Sequence, residues 1–168
     1  MRKISLIVCL FAMSLAMSAQ DSKILSELTA MLERSQVVAH FSYSDPAGAK
    51  LGEGVATVQG RKYCVSEGKA MFISNGATLW SVFSDRKEIY IENAGGSNDL
   101  FSNLPEVLKT VEGLTWNGKD ISFTMDFPGT GKIACKATVQ ELPRNNDAKF
   151  SVSEDILGSK DWIVTDLR

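Results

Sequence analysis

Between Met71 and Asn93 the chain alternates short apolar runs with polar breaks, reading MFISNGATLWSVFSDRKEIYIEN. Three strands are predicted there, Met71–Ser74, Thr78–Phe83 and Glu88–Glu92. Asn75-Gly76 joins the first two, a dipeptide that accepts positive φ at low cost. Ser84–Lys87, a polar loop of hairpin length, joins the last two. The result is an antiparallel meander carrying Phe72, Leu79, Trp80, Phe83 and Tyr90. The rest of the chain extends this sheet or covers it.

Upstream, Leu25, Leu28, Met31, Leu32 and Ser35 recur at helical spacing within Asp21–Gln36, while Lys23, Glu27, Glu33 and Arg34 lie off the stripe. Asp21 or Ser22 serves as N-cap. The period then changes to two. Val37, Ala39, Phe41 and Tyr43 face one way, and Val38, His40, Ser42 and Ser44 the other, as in a half-buried strand. Asp45-Pro46-Ala47-Gly48 ends it with a turn. Leu51–Val58 follows, with Gly52, Gly54 and Ala56 on one face, which predicts a bend or a close approach by another element. Lys62–Glu67, with Tyr63 and Val65 on one side, leads into the meander.

After Asn93 a flexible Ala94–Asn98 stretch precedes a second helix that reaches about Glu112. Leu100, Leu104, Val107, Leu108 and Val111 form its stripe. Pro105 belongs in a first turn, so Asn103 is the expected cap and Leu100-Phe101 falls in a preceding turn. Strands return at Ile121–Phe127, Lys132–Glu141, Lys149–Ser153 and Asp161–Leu167, separated by turns such as Asn117-Gly118 and Pro128–Gly131. About nine or ten strands with two helices give an α+β architecture in one domain over 20–168.

Residues 1–19 read as a secretory signal peptide: Arg2 and Lys3, an apolar Ile4–Leu15 run too short to span a bilayer, then small residues. Cleavage after Ser18 fits small residues at Ala16 and Ser18; cleavage after Ala19 is the alternative. Cys9 sits inside the apolar run behind Val8, an unfavourable setting for lipid attachment. The expected product is a soluble exported protein of about 150 residues, enough for one core. An exported compartment permits a Cys64–Cys135 disulfide, although two buried thiols are the other reading.

A net charge of −2 leaves no basic footprint and argues against nucleic acid. The one histidine, His40, lies on a polar strand face without cysteine or carboxylate at metal-ligand spacing. Nucleophile elbow, phosphate loop and zinc spacing are all absent from the sequence. Acidic pairs such as Glu53 with Glu67, or Glu154-Asp155, are ordinary surface residues unless the fold joins them. A non-enzymatic protein without cofactor or metal is expected. The sheet is rich in large apolar side chains, and only two short amphipathic elements are available as cover. Either the core is filled, or a partly closed apolar cavity results.

Ser74-Asn75-Gly76-Ala77-Thr78-Leu79-Trp80 followed by Lys87-Glu88-Ile89-Tyr90-Ile91 resembles the meander of periplasmic outer-membrane lipoprotein carriers, the LolA-like family. The ending Ile163-Val164-Thr165-Asp166-Leu167-Arg168 resembles the tail of its Bacteroidetes-type branch. That resemblance implies a strongly curved antiparallel sheet, an incomplete β-barrel, covered by an N-terminal helix and an inserted lid helix. It implies a monomeric periplasmic carrier that shelters lipoprotein acyl chains between inner-membrane release machinery and an outer-membrane acceptor. A lipid- or lipoprotein-binding sensor on the same scaffold is the alternative. By strand alternation the expected lining is Phe41, Tyr63, Val65, Met71, Ile73, Trp80, Val82, Ile89 and Ile91. The expected lid is Leu100, Phe101, Leu104, Leu108 and Val111. The family's lid-tethering arginine precedes a proline; here Gln59-Gly60-Arg61-Lys62-Tyr63 has no proline and Arg61 is displaced.

Overall fold

Tight turns set the order of the sheet. In the computed structural model, which describes residues 19–95, 101–127, 129–146 and 150–168, Asn75 and Asn117 use the same device. Each Oδ1 accepts hydrogen bonds from two following backbone amides (Ala77 and Thr78; Lys119 and Asp120), and each is followed by a glycine at φ 91°. A side chain with a Cβ would be strained at either glycine.

The elements are α1 (Ala19–Arg34), β1 (Gln36–Ser44), β2 (Lys50–Gln59), β3 (Lys62–Glu67), β4 (Ala70–Ser74), β5 (Thr78–Phe83), β6 (Glu88–Asn93), α2 (Leu104–Leu108), β7 (Glu112–Trp116), β8 (Asp120–Phe127), β9 (Gly131–Leu142), α3 (Glu154–Leu157) and β10 (Ile163–Asp166). All ten strands form one curved, unclosed sheet in the order β10-β6-β5-β4-β3-β2-β1-β9-β8-β7. The α+β class and the open curved sheet are as expected. The sheet is mixed, however: β10 runs parallel to β6, with Val164 opposite Ile89.

Several sequence expectations are corrected. The second helix is only five residues long, with Pro105 in its first turn and Asn103 O accepting from the Glu106 and Val107 amides. The chain is already in β7 by Glu112, a strand the apolar pattern does not mark. Phe150–Ser153 is not a strand, and α3 has no counterpart among the expected elements. The expected signal segment lies outside the described residues apart from Ala19, the first residue of α1; Leu100 and Lys149 also lie outside them.

Both faces of the sheet are covered, over different areas. On one face α1 packs Ile24, Leu25, Leu28, Met31 and Leu32 onto Val37, Val58, Tyr63, Leu79 and Leu114, with Leu108 of α2 beside them. Val37, Val58, Tyr63 and Leu79 sit at the end of the strands nearest the β2–β3 turn. There the Gly60 amide donates to Leu32 O at 3.2 Å, and Arg34 forks onto Glu141 of β9 at 2.8 and 3.1 Å. On the other face Phe150, Val152, Leu157 and Trp162 cover Ile73, Trp80, Ile89 and Ile91.

Candidate functional site

Cross-strand register decides which side chains can meet, because directly paired residues project to the same face. One row runs Val65, Phe72, Ser81, Tyr90 across β3 to β6, and a neighbouring row runs Tyr63, Ser74, Leu79. Both project toward α1. The intervening rows, Cys64, Ile73, Trp80, Ile91 and Ser66, Met71, Val82, Ile89, project away from it.

The nine residues expected to line one cavity are therefore divided. Phe41, Tyr63 and Val65 lie on the helix-bearing face. Ile73, Trp80, Val82, Ile89 and Ile91 lie on the opposite face under the C-terminal segment, and Met71 is exposed there. The physical cause is visible in the sequence. Where both faces of a strand are covered, apolar residues are nearly continuous (Met71-Phe72-Ile73, Leu79-Trp80, Ile89-Tyr90-Ile91), so alternation cannot fix the parity. Four of the five residues expected to form a lid come together, Leu100 lying outside the described residues. Leu108 is buried, and Phe101, Leu104 and Val111 pack against the same cluster, the Phe101 and Tyr63 rings being 5.4 Å apart.

At and beyond the margin of the α1 cluster, where Phe72 and Phe123 pack, the helix-bearing face changes character. Tyr43, Phe72, Phe83, Tyr90, Phe123 and Met125 are only half-buried. Phe83 makes edge-on contacts with Phe72 and Tyr90 at 6.2 and 6.1 Å. The Arg86 guanidinium lies 4.4 Å over the Phe83 ring and pairs with Glu88 at 3.3 Å, while the Tyr90 hydroxyl donates to the same carboxylate. On β1 the rings of Phe41 and Tyr43 lie across Gly54 and Gly52 of β2. The Tyr43 hydroxyl reaches beyond Gly52 to donate to Glu67 on β3. Burial first, and then that carboxylate, push the Tyr43 hydroxyl well above its ordinary pKa, so it remains a donor. The half-covered region is thus an aromatic surface across the strands, with Tyr43, Arg86 and Tyr90 paired to carboxylates at its edge. The sequence marks Phe72, Phe83 and Tyr90 only as bulky residues; the pairing register is what places them here.

Cys64 and Cys135, the cysteines among the described residues, are both free. Cys64 projects away from α1, whereas Cys135 is paired with Tyr43 on the helix-bearing face, and β9 is separated from β3 by β1 and β2. Burial raises both thiols, Cys135 to about 11. Arg61 lies beside Gly95, where a Cβ would be 3.6 Å from its guanidinium; Gly95 is the last described residue before the lid segment.

A second feature lies on the face of β1, β9 and β8 turned away from α1. An open groove of about 610 Å³ is lined by His40, Ser42, Asp120, Ser122, Lys136 and Thr138, with Trp116 at its border. Hydrogen bonds from Thr138 first and Asn117 second hold the Asp120 carboxyl below its usual range. Among the described residues no group of three or more His, Cys, Asp and Glu side chains is placed to hold a metal, and no helix is long and apolar enough to cross a membrane.

No family model matches the chain, and no curated protein does. Among solved structures it is similar to the crystal structure of an uncharacterized conserved protein from Thermus thermophilus. The two share 11% identity over 88% of this chain and 99% of that one, with a TM-score of 0.44, a likeness that carries neither fold nor function across.

Proposed function

We propose that this protein is a non-enzymatic carrier of acylated lipoproteins in the periplasm, as the resemblance of its meander and tail implies. The observation that carries the reading is the uneven cover of one sheet face. The α1 end is sealed by a buried apolar cluster, while Phe72 and Phe123 at its margin, and Phe83, Tyr90 and Met125 on the same face, stay half-buried. Exposing an acyl chain to water costs about 0.8 kcal/mol per methylene, so lipidated cargo does not leave a membrane unaided. Broad aromatic contact with little directional hydrogen bonding suits a chain that must be taken up and then released. The short helix α2 and the turn before it, with Leu104 and Phe101 half-buried, form the element suited to move when cargo enters. Release from inner-membrane machinery and delivery to an outer-membrane acceptor complete the proposed cycle, with a monomer as the working unit.

The test is transfer. Mature protein incubated with spheroplasts that display a tagged lipoprotein should recover that lipoprotein in the soluble fraction as a one-to-one complex. Retention of all lipoprotein in the membrane fraction would refute the carrier reading. The polar groove around His40 and Lys136 favours the sensor alternative. Co-purification of a membrane regulator without lipoprotein uptake is the outcome that would replace the first reading with the second.

A further inference from the structure

Among the side chains of the helix-bearing face, the hydroxyl of Ser81 stands apart. Ser81 is 3% exposed, and its Oγ has no hydrogen-bond partner among the described residues. Buried hydroxyls are normally paired, because an unpaired one has lost water without replacement. Ser74, buried on the same face, follows the rule: its Oγ accepts the Gly76 amide at 3.1 Å. Ser81 has Phe72 directly opposite on β4, Tyr90 directly opposite on β6, and Phe83 two residues on along its own strand. A single polar hydrogen therefore sits in the middle of three aromatic rings, on the face that the carrier reading assigns to acyl chains.

We propose that Ser81 is a specificity-determining residue that donates a hydrogen bond to the neutral carbonyl of an acyl ester or amide, fixing where the polar end of the chain stops. This rests on the acyl-binding reading of that face. A plain hydrocarbon has no acceptor to offer. A free carboxylate would need a cation, and the nearby guanidinium of Arg86 is already paired with Glu88. A neutral carbonyl satisfies the hydroxyl and needs no counter-charge. Side-chain rotation of Phe72 or Tyr90, both half-buried, opens the approach.

The experiment is displacement of the neutral fluorescent probe N-phenyl-1-naphthylamine from the full mature protein by methyl laurate or by dodecane. In the wild-type protein the ester should displace at lower concentration than the alkane. Ser81→Ala should weaken the ester about three- to tenfold, the value of one hydrogen bond, leave dodecane unchanged, and melt no lower than wild type. Ser81→Thr, which keeps the hydroxyl, should restore the ester preference. If both ligands displace the probe but Ser81→Ala affects them equally or not at all, the anchor is wrong and the acyl-binding reading stands. If neither ligand displaces the probe from the wild-type protein, the acyl-binding reading fails and the anchor with it.

Discussion

Gly54 shows how one residue shapes the candidate site. A Cβ there would collide with the Ser66 carbonyl oxygen and come within 2.7 Å of Phe41 Cζ. At Gly52 the collision is only with the Tyr43 ring and hydroxyl, a side chain that can swing aside. Gly54→Ala is therefore expected to destabilise by about 1–3 kcal/mol, as overpacking does, and Gly52→Ala by less. Urea unfolding of both variants checks this; equal costs, or a Gly54→Ala cost below about 0.5 kcal/mol, would contradict the close approach. The glycines are legible in sequence as a place where something comes near. That the visitors are the rings of Phe41 and Tyr43 is not, because it depends on β1 pairing with β2 at Phe41–Gly54 and Tyr43–Gly52.

At the scale of elements, α1 is held to the sheet by burial, by a charged fork, and by hydrogen bonds that Gly60 and Trp116 donate to Leu32 O and Glu27. Arg34 and Ser35 both donate to Glu141 on β9. The Arg34 bond first, and the Ser35 bond second, hold the Glu141 carboxyl at about 2, below its ordinary 4.5. A carboxyl depressed in the folded state stabilises above its unfolded pKa, and that contribution is lost as pH falls through the folded value. The melting temperature of the wild-type protein should therefore fall more steeply than that of Glu141→Gln between pH 4.5 and about 2. Parallel curves across that window would show that the fork adds nothing. The elements differ in how plainly the sequence announces them. The α1 stripe and the Asn-Gly turns identify themselves through local chemistry. The second helix looks longer in sequence than it is because Val111 continues its apolar spacing, although Gly113 adopts φ 61° as the chain enters β7. The parallel pairing of β10 is set by a long return across the sheet, which no local pattern announces.

At the scale of the whole molecule, the chain makes one sheet with two differently covered faces. The C-terminal segment buries the face that carries Ile73, Trp80, Ile89 and Ile91, while α1 and α2 bury part of the other. Sequence alternation cannot separate these sets, since β4 to β6 are apolar at both parities. It therefore groups residues of opposite faces into one expected lining. On the helix-bearing face, Phe101, Leu104, Leu108 and Val111 pack with the α1 cluster, and the register supplies an aromatic surface of Phe72, Phe83 and Tyr90. The claim at stake is that this face, rather than the opposite one or the polar groove, holds acyl chains. Photo-crosslinking with a diazirine-bearing long-chain acyl ester, followed by peptide mapping, tests it most directly. Label is expected on Phe72, Phe83, Tyr90 and the Phe101–Leu104 segment. Label confined to Val82, Ile89 and Val152, to the His40–Lys136 groove, or absent altogether would contradict it.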